Sequence, residues 1–344
     1  METHVSGQIN TALIGYGYWG PNIARTMGKI PGVTLHTICD LSDKSLQRAR
    51  TSHPLAQTTK QIDRIACDSN ITTVIISSPA STHFRVASRM IEAGKHILIE
   101  KPLTTSVSDA DNLISLQKKH QTVAMVGHTF EYNPSVRKIK HIIHKPTFGT
   151  VFYMYSTRVN LGQIRGDVNA LWNLAPHDIS TMNYLLDARP TSVMACGGSF
   201  LRKDIEDVAF IMVRYPNNIL GQIHISWLDP LKERKMTIVG SKKMLTFDDL
   251  DNVIPIRVYD KRADTGEVAR GLDTEYKIKL YSGSIHIPRV TFQEPLTEEL
   301  KHFFHCVRTG QRPLTDLSNG RSVVHVLAAC QESLHHKNTW IPIR

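Results

Sequence analysis

Three glycines near the start of the chain have the spacing of a phosphate-binding turn. Gly15, Gly17 and Gly20 form a GxGxxG pattern between the apolar segment Thr11–Gly15 and a helix-like segment, Pro21–Ile30. In such a turn the first glycine permits the tight bend, the second lets the backbone approach a pyrophosphate, and the third lets helix and strand pack closely. The helix N-terminus then faces the anion. The pattern therefore predicts a dinucleotide-binding turn.

A carboxylate follows at the position that recognises the ribose of a dinucleotide. Asp40 ends the next predicted strand, Val33–Asp40, 20 residues after Gly20. A carboxylate there accepts hydrogen bonds from the adenosine ribose hydroxyls and repels a 2′-phosphate. Lys44 is four residues further on and is able to bind such a phosphate, but no arginine follows Asp40 directly. The pattern favours NAD over NADP as the cofactor.

Short apolar segments alternate with helical segments over the first 127 residues. The predicted strands are Thr11–Gly15, Val33–Asp40, Thr73–Ser77, His96–Ile99 and Val123–Val126. The predicted helices are Pro21–Ile30, Lys44–Arg50, His83–Ala93 and Ser106–His120. This alternation is typical of a parallel sheet covered by helices on both faces. It predicts an α/β chain whose residues 1–127 form a dinucleotide-binding, doubly wound Rossmann domain.

The pattern changes after residue 127. A helix is predicted at Glu131–His144, and two helices close the chain at Thr297–Thr309, which stops at Gly310, and Arg321–His336. The predicted strands are Val151–Leu161, Ser192–Phe200, Val208–Tyr215, Ile219–Trp227, Lys235–Val239, Ile256–Tyr259 and Glu275–Leu280. A hairpin turn is expected at residues 216–218. Residues 128–344 are therefore expected to form an α+β domain on a mainly antiparallel sheet, for substrate binding and oligomerisation. For its last helix, an alternative is that it packs back on the first domain.

Composition narrows the class of protein. The chain has 344 residues, of which 41 % are hydrophobic, which fits two domains with sizeable cores. Its five cysteines are scattered without a CxxC pair, which argues against disulfides and structural zinc and suits a reducing cytoplasm. His141 and His144 are three residues apart without a carboxylate or cysteine partner, so no metal site is expected.

Charge and hydropathy restrict the partners. The net charge is +10, but the basic residues are dispersed and do not form a block with interleaved aromatics, so no nucleic-acid partner is expected. The polar segment Met1–Asn10 lacks the apolar core of a signal peptide, and no run of about 18 apolar residues occurs. We therefore expect a cytoplasmic protein with no membrane partner.

Four motifs together resemble one family of oxidoreductases. They are the glycine turn, residues 78–83 (SPASTH), residues 100–102 (EKP) and residues 172–179 (WNLAPHDI). Their order and spacing are similar to those of the Gfo/Idh/MocA family, and the likeness spans most of the chain. Residues 15–22, 226–230 and 240–249 resemble a branch associated with nucleotide-sugar pathways, including UDP-N-acetylhexosaminuronate 3-dehydrogenases. That last step is analogy, because one fold hosts many substrates.

The resemblance assigns roles to particular residues. It implies that a cis Lys101–Pro102 peptide aims the Lys101 side chain at the reacting hydroxyl. The implied contacts to the cofactor, beyond the glycines, Asp40 and Lys101, are Tyr18, Trp19, Ser78, Pro79, His83, Glu100 and Pro102. For Trp19 the alternative is packing against the glycine turn.

Oxidising a secondary alcohol requires a base for the hydroxyl proton, within hydrogen-bond reach. Lys101 follows a predicted strand at the edge where parallel sheets bind ligands, and its ammonium can stabilise an alkoxide. His177 follows Pro176 at a predicted helix start, where the positive end of the helix dipole favours the neutral imidazole of a base. The alternatives are a surface lysine in a turn and a capping or buried structural histidine.

One position departs from the family. Many relatives have aspartate four residues before the histidine, where this chain has Asn173. An amide keeps the hydrogen-bonding shape but cannot take a proton, so Asn173 is expected to position the substrate while Lys101 and His177 handle protons. It is also compatible with weakened or changed catalysis. Asp178 is expected to support the site rather than replace the base, because adjacent helix positions point about 100° apart.

These observations favour an NAD(P)-dependent oxidoreductase that moves a hydride between the nicotinamide and a secondary alcohol or ketone carbon of a sugar or nucleotide sugar. The alternatives are an NADPH-dependent keto-sugar reductase, an inositol or free-sugar dehydrogenase, and a non-catalytic NAD-binding regulatory protein. The presence of Lys101 and His177 argues against the last, and Asn173 leaves it open. Members of the family that the chain resembles commonly pair through the sheet of the second domain, so the resemblance implies a homodimer or homotetramer.

Overall fold

A computed structural model describes residues 7–162, 164, 166, 168–265 and 278–343. The chain divides into two compact units. The first unit comprises Met1–Tyr132 and Gln293–Ala328, and the second comprises Asn133–Phe292 and Ala329–Arg344. Among the described helices, none combines the length and the apolar character that crossing a membrane requires.

The first unit is built on a six-stranded parallel sheet, in the order β3-β2-β1-β4-β5-β6. The strands are β1 (Ile9–Ile14), β2 (Val33–Cys39), β3 (Gln57–Thr59), β4 (Thr73–Ile76), β5 (His96–Glu100) and β6 (Ala124–Gly127). Every pair in this sheet is parallel, which confirms the predicted doubly wound Rossmann fold. The short strand β3 was not predicted, because its three polar residues carry no apolar run.

Nine helices are described along the chain. They are α1 (Gly20–Met27), α2 (Asp43–Ser52), α3 (Ile62–Cys67), α4 (His83–Glu92), α5 (Val107–His120), α6 (Pro134–Ile143), α7 (Ala170–Leu186), α8 (Pro295–Thr309) and α9 (Leu317–His335). Gly310 ends α8 in the left-handed conformation with φ +70°, as predicted for its C-terminal stop. Although α8 comes late in the chain, its fully buried Phe303 and Phe304 belong to the core of the first unit, together with Leu13 and Tyr132.

The second unit is built on a nine-stranded sheet, in the order β14-β13-β12-β11-β7-β10-β9-β8-β15. The strands are β7 (Val151–Val159), β8 (Ser192–Gly198), β9 (Val208–Arg214), β10 (Leu220–Ser226), β11 (Glu233–Gly240), β12 (Met244–Asp248), β13 (Ile256–Thr265), β14 (Ile278–His286) and β15 (Ile341–Pro342). Among the described strands of this second sheet, only β7 and β10 pair in parallel. The prediction of a mainly antiparallel sheet is therefore confirmed.

Some predicted segments match and others do not. The turn between β9 and β10 is the expected one, with Asn217 and Asn218 at φ +59°. The strands β12 and β15 were not predicted. Residues 275–277 of the predicted strand Glu275–Leu280, and residues 1–6 of the polar N-terminal segment, lie outside the described residues.

Three predicted helix starts are wrong, and two of them lie beside a proline. The last helix, expected from Arg321, begins at Leu317. The helix expected from Glu131 begins instead at Pro134, because the Asn133 side chain caps it by accepting from Ser135 N at 2.8 Å. The helix expected to begin beside His177 begins at Ala170, where Asn169 accepts from Trp172 N at 3.0 Å.

Candidate active site

The glycine turn has the shape that a dinucleotide pyrophosphate requires. Gly15 has φ +97°, and a Cβ there would lie 2.6 Å from the backbone of Ser77. A Cβ on Gly20 would collide with the carbonyl oxygen of Gly15, so α1 packs against the turn only with glycine at that position. By contrast, no heavy atom lies within 4 Å of a Cβ built on Gly17. The turn is therefore tight at its ends and open at its centre.

Asp40 lies against this turn, at the end of β2. Its Oδ2 accepts from Tyr16 N at 2.6 Å, and its Oδ1 accepts from Ser42 N at 2.8 Å. The acidic side chain is thus fixed beside the glycines, as recognition of a ribose requires. Arg48, on α2, donates to the carbonyl oxygen of Tyr16 at 3.1 Å. The sequence analysis considered Lys44 as the basic residue near Asp40 and did not identify Arg48.

The loop after β4 is tied to the loop after β5 by a buried histidine. His83 is 1 % exposed, and its ring nitrogens contact the carbonyl oxygens of Pro102 at 2.8 Å and Ser78 at 2.9 Å. Burial lowers the pKa of His83, and the charge of Lys101 adds to this effect. Ser78 and Pro79 are thus held next to the Lys101–Pro102 peptide, which is cis as the resemblance implies.

The end of β5 brings together Trp19, Glu100 and Lys101. The Glu100 carboxyl group accepts a hydrogen bond from the Trp19 side chain and one from Lys101 N at 3.3 Å. Burial raises the pKa of Glu100 to about 7, against the opposing charge of Lys101. Trp19 therefore links the glycine turn to the strand end that carries the lysine, while the neighbouring Tyr18 is exposed.

In the second unit, Asn173 and His177 are four residues apart on α7 and so share one face of that helix. Asn173 Oδ1 accepts from Trp227 Nε1 at 3.1 Å. His177 lies seven residues beyond the first residue of α7. A helix dipole acts within the first turn, so it is not available to the imidazole as the sequence suggested.

Asp178 has a different partner. It is buried, and its Oδ2 accepts from Arg158 Nε, on β7, at 2.6 Å. A carboxylate held in a buried ion pair anchors α7 to the sheet and is a poor candidate for a base, because removing either charge leaves the other buried without compensation.

The described residues contain no group of three or more His, Cys, Asp or Glu side chains that could hold a metal ion.

The geometry of the first unit fits an NAD molecule. Gly17 leaves open space for a pyrophosphate, α1 begins without a side-chain cap on its N–H groups, and Asp40 is fixed where a ribose is read. A Rossmann unit with this turn, followed by a unit on a mainly antiparallel sheet, defines a nicotinamide-dependent oxidoreductase.

Comparison with known proteins gives the family. The description "Oxidoreductase family, NAD-binding Rossmann fold" matches residues 9–128, and "GFO/IDH/MocA C-terminal domain" matches residues 136–246. The chain belongs to the Gfo/Idh/MocA family, whose members act on CH–OH groups, and its first unit is an NAD-binding domain.

Relatives of similar length carry different names. The chain is 25% identical over 319 residues to a UDP-N-acetylglucosamine 3-dehydrogenase of Acidithiobacillus ferrooxidans, covering 92% of this chain and 94% of the relative. It is 22% identical over 338 residues to a myo-inositol 2-dehydrogenase of Thermotoga maritima, covering 95% and 96%. A solved levoglucosan dehydrogenase, in complex with NADH and levoglucosan, has a TM-score of 0.82 at 19% identity, covering 98% of this chain and 99% of that one.

The open space at Gly17 generates a first prediction. Gly17→Val should fold normally, because its Cβ meets no neighbour, but should abolish NAD binding by occupying the pyrophosphate's space. Isothermal titration with NAD measures the loss of binding, and a thermal melt shows whether the variant is folded. Gly15→Ala is the contrasting variant, since it collides with Ser77 and should lower the melting temperature. NAD affinity that is unchanged in folded Gly17→Val would show that the turn has only a structural role.

Asp40 generates a second prediction. The wild-type protein should bind NADH more tightly than NADPH, because the carboxylate would face the 2′-phosphate. Asp40→Ser should narrow that gap by removing the negative charge. Fluorescence titration with NADH and with NADPH measures the difference in affinity. The control is Asp43→Ser, because Asp43 is an exposed carboxylate nearby that pairs with Lys60. Tighter binding of NADPH by the wild type would instead favour a biosynthetic reductase.

Proposed function

We propose that the chain is an NAD-dependent dehydrogenase of a sugar or nucleotide-linked sugar, in which Lys101 takes the proton of the reacting secondary hydroxyl. The observation that carries the proposal is the position of Lys101. It follows β5 at the same sheet edge as the glycine turn, and its neighbour Glu100 is hydrogen-bonded to Trp19 of that turn. Ligands of open parallel sheets bind at the carboxyl ends of the strands.

The chemistry divides between the cofactor and the chain. NAD, when bound, supplies the acceptor for the hydride. The chain must hold the alcohol and take its proton, which the neutral amine of Lys101 does by forming an ammonium. The same ammonium stabilises negative charge that develops on the alcohol oxygen. In the reverse direction it returns the proton to the alkoxide.

The second unit contributes His177 and Asn173 to the proposal. Trp227 fixes the amide of Asn173 by donating to its Oδ1, and this amide is proposed to hydrogen-bond a hydroxyl group of the substrate. His177 shares the helix face with Asn173 and is proposed as a second group that exchanges protons with the substrate. An asparagine that does not titrate leaves these protons to Lys101 and His177.

The substrate class is supported by what the relatives are named for. A UDP-N-acetylglucosamine, a myo-inositol and a levoglucosan dehydrogenase all act on ring compounds with several secondary hydroxyls. Among these, the residues that resemble the nucleotide-sugar branch favour a nucleotide sugar. Inositols and free sugars are the nearest alternatives.

The test is NADH formation, followed by absorbance, with NAD and a panel of UDP-sugars, inositols and free sugars. Turnover of a UDP-sugar above the others would support the proposal. If NAD binds but no compound in the panel yields NADH, and the keto-sugars do not oxidise NADH, the result would favour a regulatory NAD-binding protein.

With the best substrate, Lys101→Met should lower turnover by roughly 10²–10⁴, the usual range for loss of a positioned acid–base group. NAD affinity should stay within a few fold, because the lysine acts on the alcohol and not on the pyrophosphate. Steady-state kinetics measure the turnover, and titration with NAD measures the affinity. The matched control is Lys119→Met, which replaces an exposed lysine of the same unit and should leave turnover normal. Full activity in Lys101→Met would contradict the proposed role.

We also propose that the protein is a homo-oligomer. Large apolar side chains on the central strands of the second sheet are exposed: Phe152, Tyr153, Tyr155, Phe210 and Leu220. Leu220 and Tyr153 are paired in register on neighbouring strands, and exposed apolar side chains gathered on one sheet support an association surface. Light scattering after gel filtration should give a dimer or tetramer mass, and Tyr155→Lys with Phe210→Lys should shift it to the monomer. A monomeric wild-type protein would refute the proposal.

A cytoplasmic location is part of the same proposal. The five cysteines are all free, and three of them, Cys39, Cys306 and Cys330, are buried. Free buried thiols suit a reducing compartment.

A further inference from the structure

A cavity of about 350 Å³ in the second unit is lined by α6 and by one end of the sheet. Lys138 and His141 are three residues apart on α6 and share one face of it, and Lys145 follows the end of that helix. Lys243 directly precedes β12, and Arg289 follows β14. Four cationic side chains, three lysines and one arginine, therefore line the same cavity, which we call the basic cavity.

The four cations of the basic cavity are not neutralised by the chain. None of their side chains forms a hydrogen bond or an ion pair with another described residue. By contrast, Lys140 of the same helix pairs with Asp187 at 2.5 Å. One carboxylate, that of Asp260, lines the basic cavity, and its Oδ1 lies 3.7 Å from Arg262 Nη1, outside the lining. The cavity consequently keeps an excess of positive charge.

The fold gathers these charges from two sides. The negative end of the α6 dipole favours His141 and Lys145 near the end of that helix. It does not explain Lys243 and Arg289, which come from the sheet. Like charges in one cleft repel one another, and their combined field raises the local concentration of anions. An anion between helix and sheet is contacted by cations from both.

The size and the apolar part of the lining restrict the kind of anion. The cavity volume of about 350 Å³ falls at the lower end of the range for small-molecule pockets, which is roughly 300–1,000 Å³. Apolar side chains of the lining are Ile142, Phe148, Val258 and Pro288. Lysine binds phosphate as a point charge, and arginine binds it through two parallel hydrogen bonds. A phosphate-bearing small molecule with an uncharged organic part matches both kinds of lining.

We propose that the basic cavity is a second ligand site, which binds an organic phosphate of the nucleoside diphosphate class. The diphosphate lies among the four cations, since several cations suit a group with more than one negative charge. The organic part lies on the apolar side chains of the lining. None of the lining residues is among those assigned above to NAD or to the reacting alcohol, so the inference goes beyond the proposed reaction and does not depend on it.

The test is calorimetric titration of the full chain with UDP, with NAD at saturation so that the first unit is occupied. Uridine and inorganic phosphate each lack one part of the ligand and should bind at least roughly tenfold more weakly than UDP. Lys243→Met should weaken UDP binding by about tenfold, and Lys243→Met with Arg289→Met by roughly 10²-fold, because each removes a charge-assisted hydrogen bond. If UDP also binds beside the reacting alcohol, the isotherm has two steps, and the double substitution should remove one of them.

The chain offers a matched control next to Lys243. Lys242 is exposed and donates to the carbonyl oxygen of Pro146 at 3.2 Å, and it does not line the basic cavity. Lys242→Met removes the same charge as Lys243→Met but should leave UDP binding unchanged.

Thermal melts give a second readout that is independent of catalysis. Without ligand the variants should melt close to the wild type, because the replaced cations have no partner to lose. With NAD present, UDP should raise the melting temperature of the wild type more than that of the double variant. Equal UDP affinity in the wild type and the double variant, equal weakening in Lys242→Met and Lys243→Met, or uridine binding as tight as that of UDP would overturn the proposal.

Discussion

The parallel pairing of β1 with β2 on one side and β4 on the other is the constraint on which the chemistry of the first unit depends. Because parallel strands end at the same sheet edge, the residues that follow them meet there although they are far apart in the chain. The reversal of strand order beside β1 opens the crevice in which such sheets bind dinucleotides. The glycine turn leaves β1 at this point, Asp40 follows β2, and Ser78 follows β4.

The next strand out, β5, extends the same sheet edge and is followed there by Lys101. Lys101 is fixed there by contacts that cross between loops: His83 bridges the carbonyl oxygens of Ser78 and Pro102, and Trp19 donates to Glu100. Neither contact involves the lysine amine itself. These contacts fix the backbone on either side of Lys101, as the role proposed for its side chain requires.

The sequence predicted the parts of this arrangement that depend on local pattern. The glycine turn, the strand ends that carry Asp40 and Lys101, and the stop at Gly310 all follow from residue types at fixed spacing, and the structure has each of them. The start of α7 was misplaced because Pro176 was interpreted as a first-turn proline, whereas Asn169 caps the helix and the proline lies inside it. The burial of Glu131 and Glu299 was not predicted, since only folding brings residues so far apart in the chain to the same interior.

The correction to α7 changes how its residues divide between structure and chemistry. With the helix running from Ala170, Asn173 and His177 occupy one face, and Asp178 points about 100° away from His177. Asp178 forms an ion pair with Arg158, and this pair fixes α7 to β7. Trp227 fixes the amide of Asn173 by donating a hydrogen bond to its Oδ1. A carboxylate that is already committed to a buried cation cannot take a proton without leaving that cation unpaired. The acid–base role that we propose for this helix therefore rests with its other face, on His177, because the amide of Asn173 cannot take a proton.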